Sequence, residues 1–149
     1  MPATIRSALP SDEAAWRQLW RDYCELHGAP VSEAVTQRTW KRILDPDSAV
    51  MCLVADVDRQ VRGFAHCVVR EHTSEAQPVC HLEDLYVAPA ARGRGLGTAL
   101  VEWLRNAMRA EGWARLQWAA RRDDLAALTL SGRFAPPEDV VRYVIRCDG

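Results

Sequence analysis

The sequence predicts a single mixed α/β domain, and three observations carry that prediction. A chain of 149 residues is long enough for one hydrophobic core and too short for two domains of ordinary size. Apolar spacing switches along it between the three-and-four period of a helix and the alternation of a strand. The segments follow the order β-α-α-β-β-β-α-β-α-β, with antiparallel connections early and a β-α-β unit late.

Residues 4–9 alternate loosely and end at Pro10, which suits a short first strand. Ser11, Asp12 and Glu13 then offer capping oxygens and first-turn negative charge to a helix. Trp16, Leu19, Trp20, Tyr23, Cys24 and His27 fall on one face of it, and Gly28 and Pro30 stop it. A second helix is expected over Ser32 to Leu44, closed by Asp45-Pro46. Ala49–Val57 and Val61–Arg70 flank the polar turn Asp58-Arg59-Gln60 and read as a hairpin. Val79–Val87 is a further strand after a loop at 71–78, and a Pro/Gly/Arg loop occupies 88–97. Leu96–Glu111 places Leu100, Trp103, Leu104, Ala107 and Met108 on one helical face and ends at Gly112. Arg115–Ala120 is a fifth strand, Asp123 to Arg133 a last helix, and Val140–Ile145 a terminal strand.

Composition narrows the function. The chain is 48% hydrophobic and 26% charged with a net charge of −1, so it has no basic excess with which to grip nucleic acid. No apolar run approaches the length of a membrane span, and charges at Arg6, Asp12, Glu13 and Arg17 interrupt any signal-peptide core. A cytoplasmic protein is expected. The five cysteines (Cys24, Cys52, Cys67, Cys80, Cys147) form no CxxC and read as reduced, mostly structural thiols. The four histidines show no metal-ligand spacing, so no metal is expected.

The chemistry concentrates in 79–98. The loop Ala91-Arg92-Gly93-Arg94-Gly95-Leu96-Gly97-Thr98 has glycine at every second position and opens a helix. Backbone N–H groups left uncovered there, beside two arginines and a positive helix end, have the character of a diphosphate cradle. The Gly-x-Gly-x-x-Gly of a dinucleotide fold and the Gly-Lys-Ser/Thr of a Walker loop are both absent. Just ahead of the loop, Glu83 and Asp84 are adjacent carboxylates inside an otherwise apolar strand, where an unpaired charge is costly. Strand alternation sends them to opposite faces: one to an acceptor, one to a structural partner. A carboxylate can take the proton an amine must lose before it attacks. His81, on the face of Glu83, is the alternative base.

Arg92-x-x-Gly95-x-Gly97, preceded by Leu82-Glu83-Asp84-Leu85-Tyr86-Val87, resembles the acyl-CoA motif of the GCN5-related N-acetyltransferases (GNAT). The likeness runs over nearly the whole chain, and the 82–87 stretch is most similar to the small-amine branch that includes diamine and spermidine/spermine acetyltransferases. It implies a central, mostly antiparallel mixed sheet with helices on both faces, one acetyltransferase domain over residues 1–149, and acetyl-CoA as co-substrate. Backbone groups of Leu85, Tyr86 and Val87 would then bind the pantetheine arm, and Arg92, Gly93, Arg94, Gly95, Leu96, Gly97 and Thr98 the pyrophosphate. Glu83 would be the base, with Asp84 helping to hold a small cationic amine. The first two helices and the 71–78 loop would wall the acceptor site, which makes Tyr23, His27, Trp40 and His72 candidates; Tyr23 and Trp40 also read as core. A homodimer is a family expectation. Where the family commonly carries Asn and then Tyr on its last helix, this chain has Asp124 and Ser131. The first is a cofactor-side candidate; the second leaves proton delivery to the departing thiolate to water, Ser131 or Tyr86. A non-catalytic acyl-CoA-binding domain and a protein lysine or N-terminal acetyltransferase are the alternatives.

Overall fold

A computed structural model describes residues 3–147. They form two compact units, divided after Ala119. The first holds one five-stranded sheet in sequential order: β1 (Ala3–Ser7), β2 (Val50–Val57), β3 (Gln60–Arg70), β4 (Val79–Val87) and β5 (Arg115–Trp118). The first three pairings are antiparallel and β4–β5 is parallel. That is the mixed, mostly antiparallel sheet the sequence predicts.

Three helices pack on this sheet: α1 (Glu13–Leu26), α2 (Glu33–Leu44) and α3 (Leu96–Glu111). Ser32 caps α2, its Oγ accepting from Val35 N–H at 3.2 Å. Asp12 does not cap α1 as expected. Its carboxylate faces backwards, accepting Leu9 N–H at 2.7 Å and Arg6 at 2.8 Å. The β2–β3 hairpin closes with only Asp58 and Arg59 outside the ladder, both at positive φ, the geometry that keeps a two-residue turn in step with strand twist.

Register divides the sheet's two faces. Cys52, Val54, Phe64 and Tyr86 face α1 and α2, where they form one core with Trp16, Leu19 and Trp40. Leu53, Ala65, Cys67 and Leu82 lie on the other face, which α3 covers with Leu100, Val101 and Leu104. Helices thus cover both faces. Four cysteines are buried and unbridged, and Cys147 is exposed.

In the second unit, α4 (Leu125–Gly132) is capped by Asp124, whose Oδ1 accepts from Ala127 N–H at 3.0 Å. The terminal strand expected at Val140–Ile145 does not form among the described residues. Val140, Val141, Tyr143, Val144 and Ile145 are all exposed there. The pattern supplies strand propensity, but a strand also needs a ladder partner, and this segment has none. β5 likewise stops at Trp118, two residues short of expectation.

Candidate active site

The site is built where β4 and β5 part. Their parallel ladder runs from Val79–Arg115 to Leu82–Trp118 and ends, while β4 continues to Val87. Residues 83–87 are therefore paired only with β3. Ala88 N–H donates to Arg62 O at 2.8 Å, which fixes the phase of the antiparallel ladder. In that phase Tyr86 exchanges its backbone bonds with Phe64, and the N–H and C=O of Leu85 and Val87 turn to the open edge. Val87 O accepts from Arg92 Nε at 3.0 Å.

The register also slips at this point. His66 lies opposite Asp84 and Cys67 opposite Leu82, so Glu83 has no partner on β3 and forms a β-bulge. The bulge corrects the simple alternation expected here. His81 shares a face with Asp84, because the extra residue resets the pleat, and the Glu83 charge also acts on Tyr23 on that side. Glu83 is exposed; Asp84 is partly buried, and its Oδ2 lies 3.0 Å from His66 Nδ1. The Tyr23 hydroxyl also meets this carboxylate: burial first, then the Asp84 charge and hydrogen bond, push its pKa well above the ordinary tyrosine value. Cys24 is raised by burial and then by Asp84, to about 11.

Beyond β4, Gly93 (φ 79°) and Gly95 (φ 77°) hold left-handed conformations that lead into α3. A Cβ on either would meet nothing within 4 Å. These glycines serve the backbone path and leave open space in front of it. No side chain caps α3 and no acidic residue lies in its first turn, so the helix end faces that space with its positive dipole. Arg92, Gly93, Arg94 and Gly95 are exposed around it; Leu96 is buried beneath, with Gly97 and Thr98 half-buried in the first turn. Arg92 stacks over Tyr86 at 5.5 Å.

The acceptor-wall candidates separate. Trp40 is core, 4.9 Å from Trp16. Tyr23 lines the Asp84 side, with His27 packed on it at 4.2 Å. A cavity of about 230 Å³ between α1 and α2 is lined by residues including Arg17, Trp20, Cys24 and Glu33. His72 sits elsewhere: it contacts Arg115, at the opposite end of the β4–β5 ladder from Glu83. Asp124 and Ser131 belong to the second unit, where the Asp124 carboxylate is engaged as the cap of α4.

The profile of the acetyltransferase (GNAT) family matches residues 14–133. The chain belongs to that family. It is 32% identical over 127 residues to an aminoglycoside N(6')-acetyltransferase type 1 of Stenotrophomonas maltophilia, covering 83% of this chain and 79% of the relative. It is 27% identical over 141 residues to the D-amino-acid N-acetyltransferase HPA3 of Saccharomyces cerevisiae, covering 93% and 88%. The fold matches that of the aminoglycoside acetyltransferase AAC(6')-Iy solved with a CoA bisubstrate analogue, with a TM-score of 0.83, 21% identity, and coverage of 99% and 100%. As a GNAT protein the chain is an acetyl-CoA-dependent N-acetyltransferase.

Proposed function

We propose that residues 1–149 act as one cytoplasmic acetyltransferase domain that acetylates the primary amine of a small cationic metabolite by direct attack in a ternary complex. The observation that carries this reading is the position of Glu83 and Asp84. They follow directly on Leu82–Trp118, the last β4–β5 pair, so two carboxylates stand at the mouth of the opening between the strands. Such a pair suits an ammonium group. The diamine and spermidine/spermine type of acceptor lies within this reading, beside the aminoglycosides and D-amino acids named for the relatives.

Acetyl-CoA supplies an activated acetyl group on a thiol leaving group. The residues present fit it: the open edge at Leu85 and Val87 offers N–H and C=O groups to the pantetheine amides. The turn from Arg92 to Thr98 offers N–H groups and two guanidiniums to the pyrophosphate. Asp84 and Tyr23 hold the acceptor. Glu83, free of any ladder partner and exposed, takes the ammonium proton directly or through one water, leaving the nitrogen lone pair free to attack. The C–N bond forms as the C–S bond breaks; the nitrogen then sheds its second proton to solvent, and the thiolate takes a proton from water or Tyr86. The exposed apolar residues of 140–145 accompany the proposed homodimer, which light scattering of the purified chain checks.

Glu83→Gln tests the assignment. Loss of a general base costs about 10²–10⁴ in rate, so kcat for CoA release should fall by that factor while the KM for acetyl-CoA stays constant. Full activity in this variant would remove Glu83 from the reaction.

A further inference from the structure

β3 carries a buried histidine aimed at the site. His66 is 4% exposed, and its ring lies among Phe64, Trp20 and Trp16 at 4.5, 5.1 and 5.8 Å. Trp16 Nε1–H donates to His66 Nε2 at 2.8 Å, and His66 Nδ1 lies 3.0 Å from Asp84 Oδ2. An indole nitrogen can only donate, so Nε2 must accept and carries no proton. The ring proton is then on Nδ1 and is donated to the carboxylate. The chain runs one way, Trp16 to His66 to Asp84, from the core to the edge of the cleft.

Resting on the reading that Asp84 holds the acceptor ammonium, we propose that His66 and Trp16 are positioning residues: their buried hydrogen-bond chain fixes the Asp84 carboxylate so that its remaining lone pairs face the substrate. Both His66 nitrogens are occupied and the ring is sealed from solvent, so it takes no proton from the amine. An apolar side chain of similar size would fill this space with no polar group to satisfy, and such replacements are often neutral or stabilising. The polar chain ends beside the bulge, where together with the Tyr23 hydroxyl it holds the Asp84 carboxylate in one rotamer.

The test compares three variants. His66→Phe keeps the aromatic volume and removes both bonds; the KM for the amine should rise about tenfold or more, with the KM for acetyl-CoA unchanged. His66→Asn keeps a donor near Nδ1 and should recover part of that loss. Trp16→Phe keeps the ring but removes the bond that holds Nε2, and should raise the amine KM by less than His66→Phe does, with the KM for acetyl-CoA again unchanged. A merely structural role predicts lower thermal stability with unchanged amine KM, and that result overturns the proposal. Nitrogen NMR of the ligand-free wild type gives a readout independent of catalysis: Nε2 should be unprotonated and Nδ1 protonated at neutral pH, and the opposite tautomer also overturns it. If wild type released no CoA with any amine while showing this tautomer, the acetyltransferase reading would fail and the hydrogen-bond chain would stand.

Discussion

Gly95 and Gly112 bound the same helix, the first at its N-terminus (φ 77°) and the second just past its C-terminus (φ 74°). Neither would bring an added Cβ within 4 Å of another atom. Alanine at either position therefore costs the same thing in the free protein: a left-handed backbone for an L-residue, about 1–2 kcal/mol. For a chain of this size that lowers Tm by roughly 2–4 °C per kcal/mol. The two should differ only when acetyl-CoA is present. At a hundredfold excess over Kd the ligand stabilises the wild type by about 2.7 kcal/mol. The Gly95→Ala methyl projects into the open space before α3, where only an arriving ligand can feel it. A tenfold weaker Kd there leaves about 1.4 kcal/mol of ligand stabilisation, so the acetyl-CoA shift should be roughly halved. Gly112→Ala should keep the wild-type shift. Thermal unfolding of the three proteins with and without acetyl-CoA measures both quantities. Equal ligand shifts in the two variants would refute the claim that this turn holds the cofactor.

Three further outcomes follow from other parts of the structure. Arg59 is a non-glycine residue at φ 67° in the β2–β3 turn, so Arg59→Gly should stabilise the protein by up to about 1 kcal/mol, read as a rise in the denaturant midpoint. The Asp12 carboxyl is held below its ordinary value chiefly by its hydrogen bond from Arg6, so the stabilisation it gives is present above about pH 4 and lost as pH falls through the folded value. Asp12→Asn should cost about 1–3 kcal/mol at pH 7 and flatten the acid limb of the stability profile measured by urea unfolding. Of the five thiols, Cys147 alone should react quickly with a thiol reagent at pH 8; Cys24, buried and raised to about 11, should stay slow until the pH approaches that value.

Much of this was legible in the sequence, because it depends on local signals. The glycine spacing of 93–97 marks a backbone that must turn left-handed before a helix, and two of those glycines do so. The three-and-four spacing of Trp16, Leu19 and Trp20 marks the inner face of α1, and alternation marks β2 and β3. What escaped depends on register between strands. Glu83 and Asp84 read as opposite faces of a regular strand, whereas a bulge isolates one and hands the other to His66. The Trp16–His66 bond joins residues 50 apart, and no spacing rule reaches that far. One sequence signal existed: His66 alternates in phase with Phe64 in an apolar run, and a buried imidazole requires partners for both nitrogens. Val140–Ile145 erred the other way, since a strand-like pattern does not supply the neighbour that a strand must bond.

The most direct test of the central claim is CoA release by wild-type protein with acetyl-CoA and a panel of primary amines that spans a polyamine, an aminoglycoside, a D-amino acid and lysine-bearing or free N-terminal peptides. With Glu83 and Asp84 at the mouth of the cleft, kcat/KM should be highest for a small polycation and should fall as salt rises. Highest activity on a neutral or peptide amine, with no dependence on salt, would contradict the account.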